Sequence, residues 1–137
     1  MSDEESDVLA TNRAFYEAFA GRNVKAMDEI WARGAPVVCI HPGWKPLRGR
    51  EQVMASWADI LGGPTPPAIS CAAPIAYIIN QVAFVICTEH IPPASFLAAT
   101  NVFVREDGRW KLVHHQAGGI AASMEEEDSE PPSGTVH

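Results

Sequence analysis

Residues 96–117 read FLAATNVFVREDGRWKLVHHQA, and this stretch decides the fold. An apolar, β-branched run from 96 to 105 is interrupted by Glu106-Asp107-Gly108, and a second run follows from 110 to 117. Asp-Gly between two such runs predicts a β-hairpin, because a tight hairpin turn needs residues that tolerate positive φ. Moving toward the N-terminus, residues 82–90 and 69–79 are two more strand-like runs, with Asn80-Gln81 as the turn between them. Pro92-Pro93 separates them from the hairpin. Four consecutive antiparallel strands are expected, ending at Gly118-Gly119.

The N-terminal half follows the helical period instead. In residues 3–20, Val8, Asn12, Phe15, Tyr16 and Phe19 share one face, and Leu9 broadens it. Ser2 with Glu5 predicts a capping box, and Gly21 a stop. Asn23 can cap a second helix carrying Met27, Ile30 and Trp31 and ending near Gly34. Residues 37–41 read as a short buried strand, broken by His41-Pro42-Gly43-Trp44, with Pro46 and Gly49 keeping it broken. Residues 50–61 form a third helix, with Val53, Met54, Trp57, Ile60 and Leu61 inward and Gly62-Gly63 closing it. Pro64, Pro66 and Pro67 make a stiff connection. Helices segregated from hairpin strands indicate an α+β domain, the helices lying across the concave face of a strongly curved, mainly antiparallel sheet.

A chain of 137 residues fits a single core. Residues 1–120 are expected to form one domain and 121–137 an acidic, disordered tail. The formal charge of −7 comes from the ends. Residues 1–7 and 124–137 hold nine acids and no bases, leaving eight acids against ten bases in the body. The net acidity excludes an ordinary nucleic-acid binder. No run approaches the roughly 18 apolar residues of a membrane span, and the N-terminus lacks the features of a secretory signal. Cys39, Cys71 and Cys87 sit in apolar stretches without metal-ligand spacing and read as buried free thiols, which makes a reducing cytoplasm the default setting.

Two segments carry a family likeness. Residues 15–57 (FYEAFAGRNVKAMDEIWARGAPVVCIHPGWKPLRGREQVMASW) and 99–118 (ATNVFVREDGRWKLVHHQAG) resemble the SnoaL-like branch of the nuclear transport factor 2-like superfamily. The resemblance covers roughly residues 8–120 and keeps the element order. It implies a cone-shaped α+β barrel with a deep apolar pocket, and a homodimer formed through the outer sheet face. Members include ketosteroid isomerases, polyketide cyclases, dehydratases, epoxide hydrolases and domains that only bind or assemble. Fold alone therefore does not fix activity.

Proton abstraction beside a carbonyl needs a positioned base. Among the eight body acids, Glu17, Asp28, Glu29, Glu51 and Asp59 fall on helices, Glu106 and Asp107 in the turn, and only Glu89 in a strand. The resemblance to ketosteroid isomerase puts its base where this chain has Cys39-Ile40-His41, its oxyanion tyrosine near Phe15 and Tyr16, with Phe15 favoured, and its second donor at Asn101. Histidine is better supplied. Only one of His114 and His115 can face inward, and family register favours Val113, His115 and Ala117 inside with Trp110, Leu112 and His114 outside. His41 and His115 are thus the expected acid–base pair, with Asn101 orienting an oxygen. Phe15, Trp44, Trp57, Phe84 and Phe103 are the expected walls for a small apolar molecule. No helical His pair or Cys pairing supports a metal, and no cofactor is implied. The reading is a small-molecule pocket protein, a lyase, isomerase or cyclase acting on an apolar carbonyl-type substrate. The alternative is a non-catalytic ligand-binding or dimerisation domain.

Overall fold

The computed structural model describes residues 2–65 and 68–121. The expected tail lies outside these residues apart from Ala121, as do Pro66 and Pro67. The elements are α1 (Asp3–Ala20), α2 (Val24–Ile30), β1 (Val38–Ile40), β2 (Leu47–Arg48), α3 (Arg50–Leu61), β3 (Ser70–Ile79), β4 (Val82–Ile91), β5 (Ser95–Glu106) and β6 (Arg109–Gly119).

Local chemistry explains the helix ends. The Ser2 hydroxyl accepts from Glu5 N at 3.1 Å and the Glu5 carboxylate accepts from Ser2 N at 3.2 Å, so the capping box forms. Asn23 Oδ1 accepts from Ala26 N at 3.0 Å and starts α2. That helix stops at Ile30, short of the expected Gly34. Trp31 turns extended and bridges to Leu112, and Ala32 N donates to Leu112 O at 2.9 Å. Arg50 compensates the carbonyls released there, its Nη1 donating to Trp31 O and Ala32 O at 2.9 and 3.0 Å.

The strands form one sheet in the order β2-β1-β6-β5-β4-β3. The β3 to β6 meander is antiparallel, whereas β1 runs parallel to β6, with Val38 opposite His114 and Cys39 opposite His115. The sheet is therefore mixed, and its edges β2 and β3 do not pair, so the expected barrel is an unclosed sheet. The short edge strand β2 has no apolar pattern and is held by pairing with β1. The hairpin turn forms as expected, with Asp107 and Gly108 at φ 54° and 77°.

A bulge on β6 matters for the site. Val102 pairs with His114 but Phe103 pairs with Leu112, leaving Val113 as the extra residue. The bulge switches strand parity, so Trp110 and Leu112 are buried on the same side as His115 and Ala117. Strict alternation had put Trp110 and Leu112 outside. The core between sheet and helices contains the fully buried Phe15, Trp31, Trp57 and Phe103, each contributing about 2–3 kcal/mol by burial.

Candidate functional site

Asn12 and Tyr16 are one turn apart on α1 and project toward the sheet. Glu89 on β4, Asn101 on β5 and His115 on β6 point back at them, Asn101 and His115 being direct cross-strand partners. Asn12, Glu89, Asn101 and His115 are at most 1% exposed. Tyr16 Oη donates to Glu89 Oε2 at 2.6 Å. Asn101 Nδ2 donates to Asn12 Oδ1 at 2.9 Å and to Tyr16 Oη at 3.2 Å. Asn101 Oδ1 is an acceptor only, so His115 bonds it through a protonated Nδ1. The lone pair of His115 is then on Nε2, 3.8 Å from Glu89 Oε2. Cys87 Sγ lies 3.3 Å from Tyr16 Oη, and Asn12 Nδ2 donates to Cys71 Sγ at 3.7 Å.

Burial divides the titrating groups. It raises the Glu89 carboxyl to about 7, against the opposing pull of the Tyr16 hydrogen bond. It lowers His115 to about 3, helped by the charges of His41 and His114. Glu89 and His115 are therefore not an ion pair at neutral pH, despite their separation. The Tyr16 phenol is raised by burial and by Glu89, so it remains a donor. Asn101 is the hub of this set. Asn101→Leu strands Asn12 Oδ1 and the His115 Nδ1–H, at about 1–3 kcal/mol per buried group. A clear fall in the urea midpoint at unchanged slope is expected, and a wild-type midpoint would refute the hub.

His41 sits just past β1, apart from the network. Ser56 spends its hydroxyl proton on Val53 O at 2.7 Å, so His41 donates from Nε2 to Ser56 Oγ at 2.9 Å. Burial lowers His41 to about 4. Its ring lies 4.8 Å from both Trp44 and Trp57, and Trp57 lies 5.4 Å from Phe15 and 6.0 Å from His115. Trp44 is the outermost of these rings, 48% exposed. Phe103 is buried on the helix side of the sheet. Phe84 is not with this group: strand parity turns it to the opposite face, stacked on Tyr77 at 4.9 Å.

The structure thus brings Asn101, His115, Phe15 and Trp57 together and sets His41 and Trp44 beside them. The network also holds Asn12, Tyr16 and Glu89, which sequence reasoning did not place in the site. Alternation along β4 was the available signal for Glu89, which shares a parity with Val85 and Cys87. The register of the resemblance favoured Phe15, but the hydroxyl comes from Tyr16, while Phe15 packs on His115 at 4.9 Å. A separate surface groove of about 660 Å³ runs between α1, α2 and the β5–β6 hairpin, lined by Thr11, Ala14, Ile30, Arg105 and Trp110 among others. It includes none of the network residues. Among the described residues no three His, Cys, Asp or Glu side chains assemble as a metal set.

The sequence profile of the SnoaL-like domain matches residues 8–122. The chain belongs to this family. Its helices and sheet match those of a candidate dehydratase of the NTF2-like family from Streptomyces avermitilis, with 30% identity, 87% of this chain and 97% of that one covered, and a TM-score of 0.79. A candidate calcium/calmodulin-dependent protein kinase type II association domain from Thiobacillus denitrificans is 32% identical, with 82% and 94% covered and a TM-score of 0.73. The F-box protein SKIP8 of Arabidopsis thaliana is 26% identical over 112 residues, 80% of this chain. The SnoaL-like domain spans about half of that curated relative, 48% of its length. No helix among the described residues of the domain is long and apolar enough to cross a membrane.

Proposed function

We propose that this SnoaL-like domain is a proton-transfer catalyst of the isomerase or dehydratase type, acting on a small apolar carbonyl compound with Glu89 as the proton carrier. The carrying observation is a fully buried carboxyl, raised to about 7, in a 2.6 Å bond with the Tyr16 phenol. A group that titrates near the working pH can both take and return a proton. The ionised Glu89 takes the proton next to the carbonyl. Tyr16, which donates to the carboxyl and accepts from Asn101 Nδ2, holds it in place. Phe15, Trp44, Trp57 and Phe103 supply the apolar walls, and the buried Trp57 indole N–H, which has no hydrogen-bond partner among the described residues, is a donor for a ligand oxygen. His41 lies at the Trp44 end, where it orients the entering molecule rather than sharing the proton. Similarity to a candidate dehydratase supports this reaction type. The three free thiols fit a reducing compartment such as the cytoplasm.

The test is deuterium exchange at carbon beside the carbonyl, followed by NMR across a panel of small cyclic and aromatic ketones and their β-hydroxy derivatives in D₂O. Exchange above the buffer rate with at least one compound supports the reading. Buffer rates throughout would overturn it.

The second reading is assembly. On the outer face of β3 and β4, Ile75 and Ile79 are 56% and 59% exposed, and Tyr77, Val82 and Ile86 extend the same patch. Similarity to a candidate association domain also favours it. A homodimer through this face is expected in sedimentation at tens of micromolar, and Tyr77→Glu is expected to shift it to monomer. A wild-type monomer would count against the interface. Dimerisation and catalysis are compatible, because they use opposite faces of the sheet.

A further inference from the structure

We propose that the surface groove between α1, α2 and the β5–β6 hairpin binds a small zwitterion, an ω-ammonium carboxylate whose two charges are separated by an apolar stem. At about 660 Å³ the groove has the size of a small-molecule site. It shares no lining residue with the interior network, so the proposal does not rest on proton transfer there. Charge is sorted by wall. The helices contribute Asp7, Glu17 and Glu29, and the hairpin contributes Arg105, Arg109 and Lys111. The lining is therefore neutral in sum, yet among the described residues no ion pair joins the two sets. Arg105 pairs instead with Glu4, outside the groove, at 3.2 Å. Lys111 donates to the backbone oxygen of Glu29 at 2.7 Å and leaves that carboxylate unpaired. Glu17 and Arg109 are exposed on opposite walls.

This sorting selects for a ligand that carries both charges. An anion alone meets the acids of the helix wall, and a cation alone meets the bases of the hairpin, so each is opposed by like charge. A dipolar molecule with its carboxylate on the hairpin and its ammonium on the helices meets opposite charge at both ends. The space between suits an apolar stem. Ala10, Ala14 and Ala18 come from successive turns of α1, and Ala26 and Ile30 of α2 continue the apolar strip. From Asp7 to Glu17 the helix rises about 15 Å, which sets the scale of the groove.

A second observation is independent of the charges. Trp110 lines the groove and is 5% exposed, and its indole N–H has no hydrogen-bond partner among the described residues. The Val113 bulge is what turns this side chain to the helix side. A buried donor left without an acceptor is unfavourable, and a bound carboxylate supplies the acceptor. Arg105 is the cross-strand partner of Trp110, its guanidinium 4.6 Å over the ring. A carboxylate on this wall therefore meets the guanidinium and the indole together, while Arg109 approaches it from the rim.

The experiment titrates the full chain with ε-aminocaproate, hexanoate and hexylamine at one ionic strength and reads the amide and indole N–H NMR signals. The three probes share a stem and differ only in their charged ends. The zwitterion is expected to bind about fivefold or more tighter than either singly charged probe, the scale of one added surface ion pair. It is expected to shift the Trp110 indole N–H and the amides of Ala14, Ala26 and Lys111, and to leave the Asn101 side-chain amide in place. Glu17→Gln and Arg109→Gln change exposed residues and spare the core. Each is expected to bring ε-aminocaproate binding down toward that of the singly charged probes. Equal binding of all three probes, tightest binding of hexanoate or hexylamine, or unchanged affinity in either variant would overturn the proposal. So would the absence of groove shifts at millimolar probe, or shifts confined to the interior. None of the probes is a ketone, so failure here leaves the proton-transfer reading standing, and the reverse also holds.

Discussion

Glu89→Gln is expected to lower turnover by about 10²- to 10⁴-fold, the range for loss of a general base, while leaving the fold in place. Glutamine is close in shape and still offers an oxygen to the Tyr16 hydroxyl, so the packing around β4 survives. It cannot take a proton. The pH profile makes the assignment specific. If the Glu89 carboxylate is the base, the wild-type exchange rate rises with pH and levels off above about 7, where the group is ionised. The residual rate of the glutamine variant carries no such step. His115, lowered to about 3, is already neutral throughout pH 5–9, so a histidine base gives a flat profile there. A flat wild-type profile, lost in His115→Ala but kept in Glu89→Gln, would move the chemistry back to histidine.

That contrast shows what was legible in the residues. The helical face of α1, its Ser2 cap, the ends of α3 and the Asp107-Gly108 hairpin are local features, written in neighbouring residues, and the structure has them all. The inward positions of Asn101 and His115 were also accessible, because family register fixed strand parity. What failed was anything set by a partner distant in sequence. The bulge at Val113 leaves no mark in an apolar run, yet it turns Trp110 and Leu112 inward. Trp31 leaves the helix because Leu112 and Arg50 are waiting for it, 81 and 19 positions away. Glu89 was visible as the lone strand carboxylate, but its scarcity was read as a reason to look elsewhere. A carboxylate kept in a buried strand is costly to retain unless partnered, and the partner, Tyr16, lies 73 residues away.

Stability should fall steeply as the pH drops below about 6.5, with Glu89 acting in the opposite direction, and the two effects separate by substitution. His41 and His115 are held at about 4 and about 3 in the fold, below the ordinary 6.5. Between those limits the unfolded chain binds more protons than the folded one. Their contribution is therefore intact above 6.5 and lost as pH falls toward 4. At about 1.4 kcal/mol per pH unit of displacement, His41 alone costs about 3 kcal/mol by pH 4, and His115 at least as much. Glu89 is raised from 4.5 to about 7, so the folded state binds the extra proton between those values. It destabilises the domain above 7, by at most about 3 kcal/mol, and that penalty is relieved as pH falls to 4.5. Two histidines outweigh one carboxyl between 6.5 and 4.5, and below 4.5 they are unopposed. For a domain of about 5–15 kcal/mol total stability, the net loss by pH 4 is about 3 kcal/mol, which weakens the fold markedly without unfolding it. Urea midpoints at pH 8, 6.5, 5 and 4 check this. Glu89→Gln is expected to be more stable than wild type at pH 8 and to converge with it by pH 4, where both carry a neutral group at that position. Parallel curves at all four pH values would mean that the Glu89 carboxyl is not displaced toward 7, and the proton-transfer site would lose its poised group.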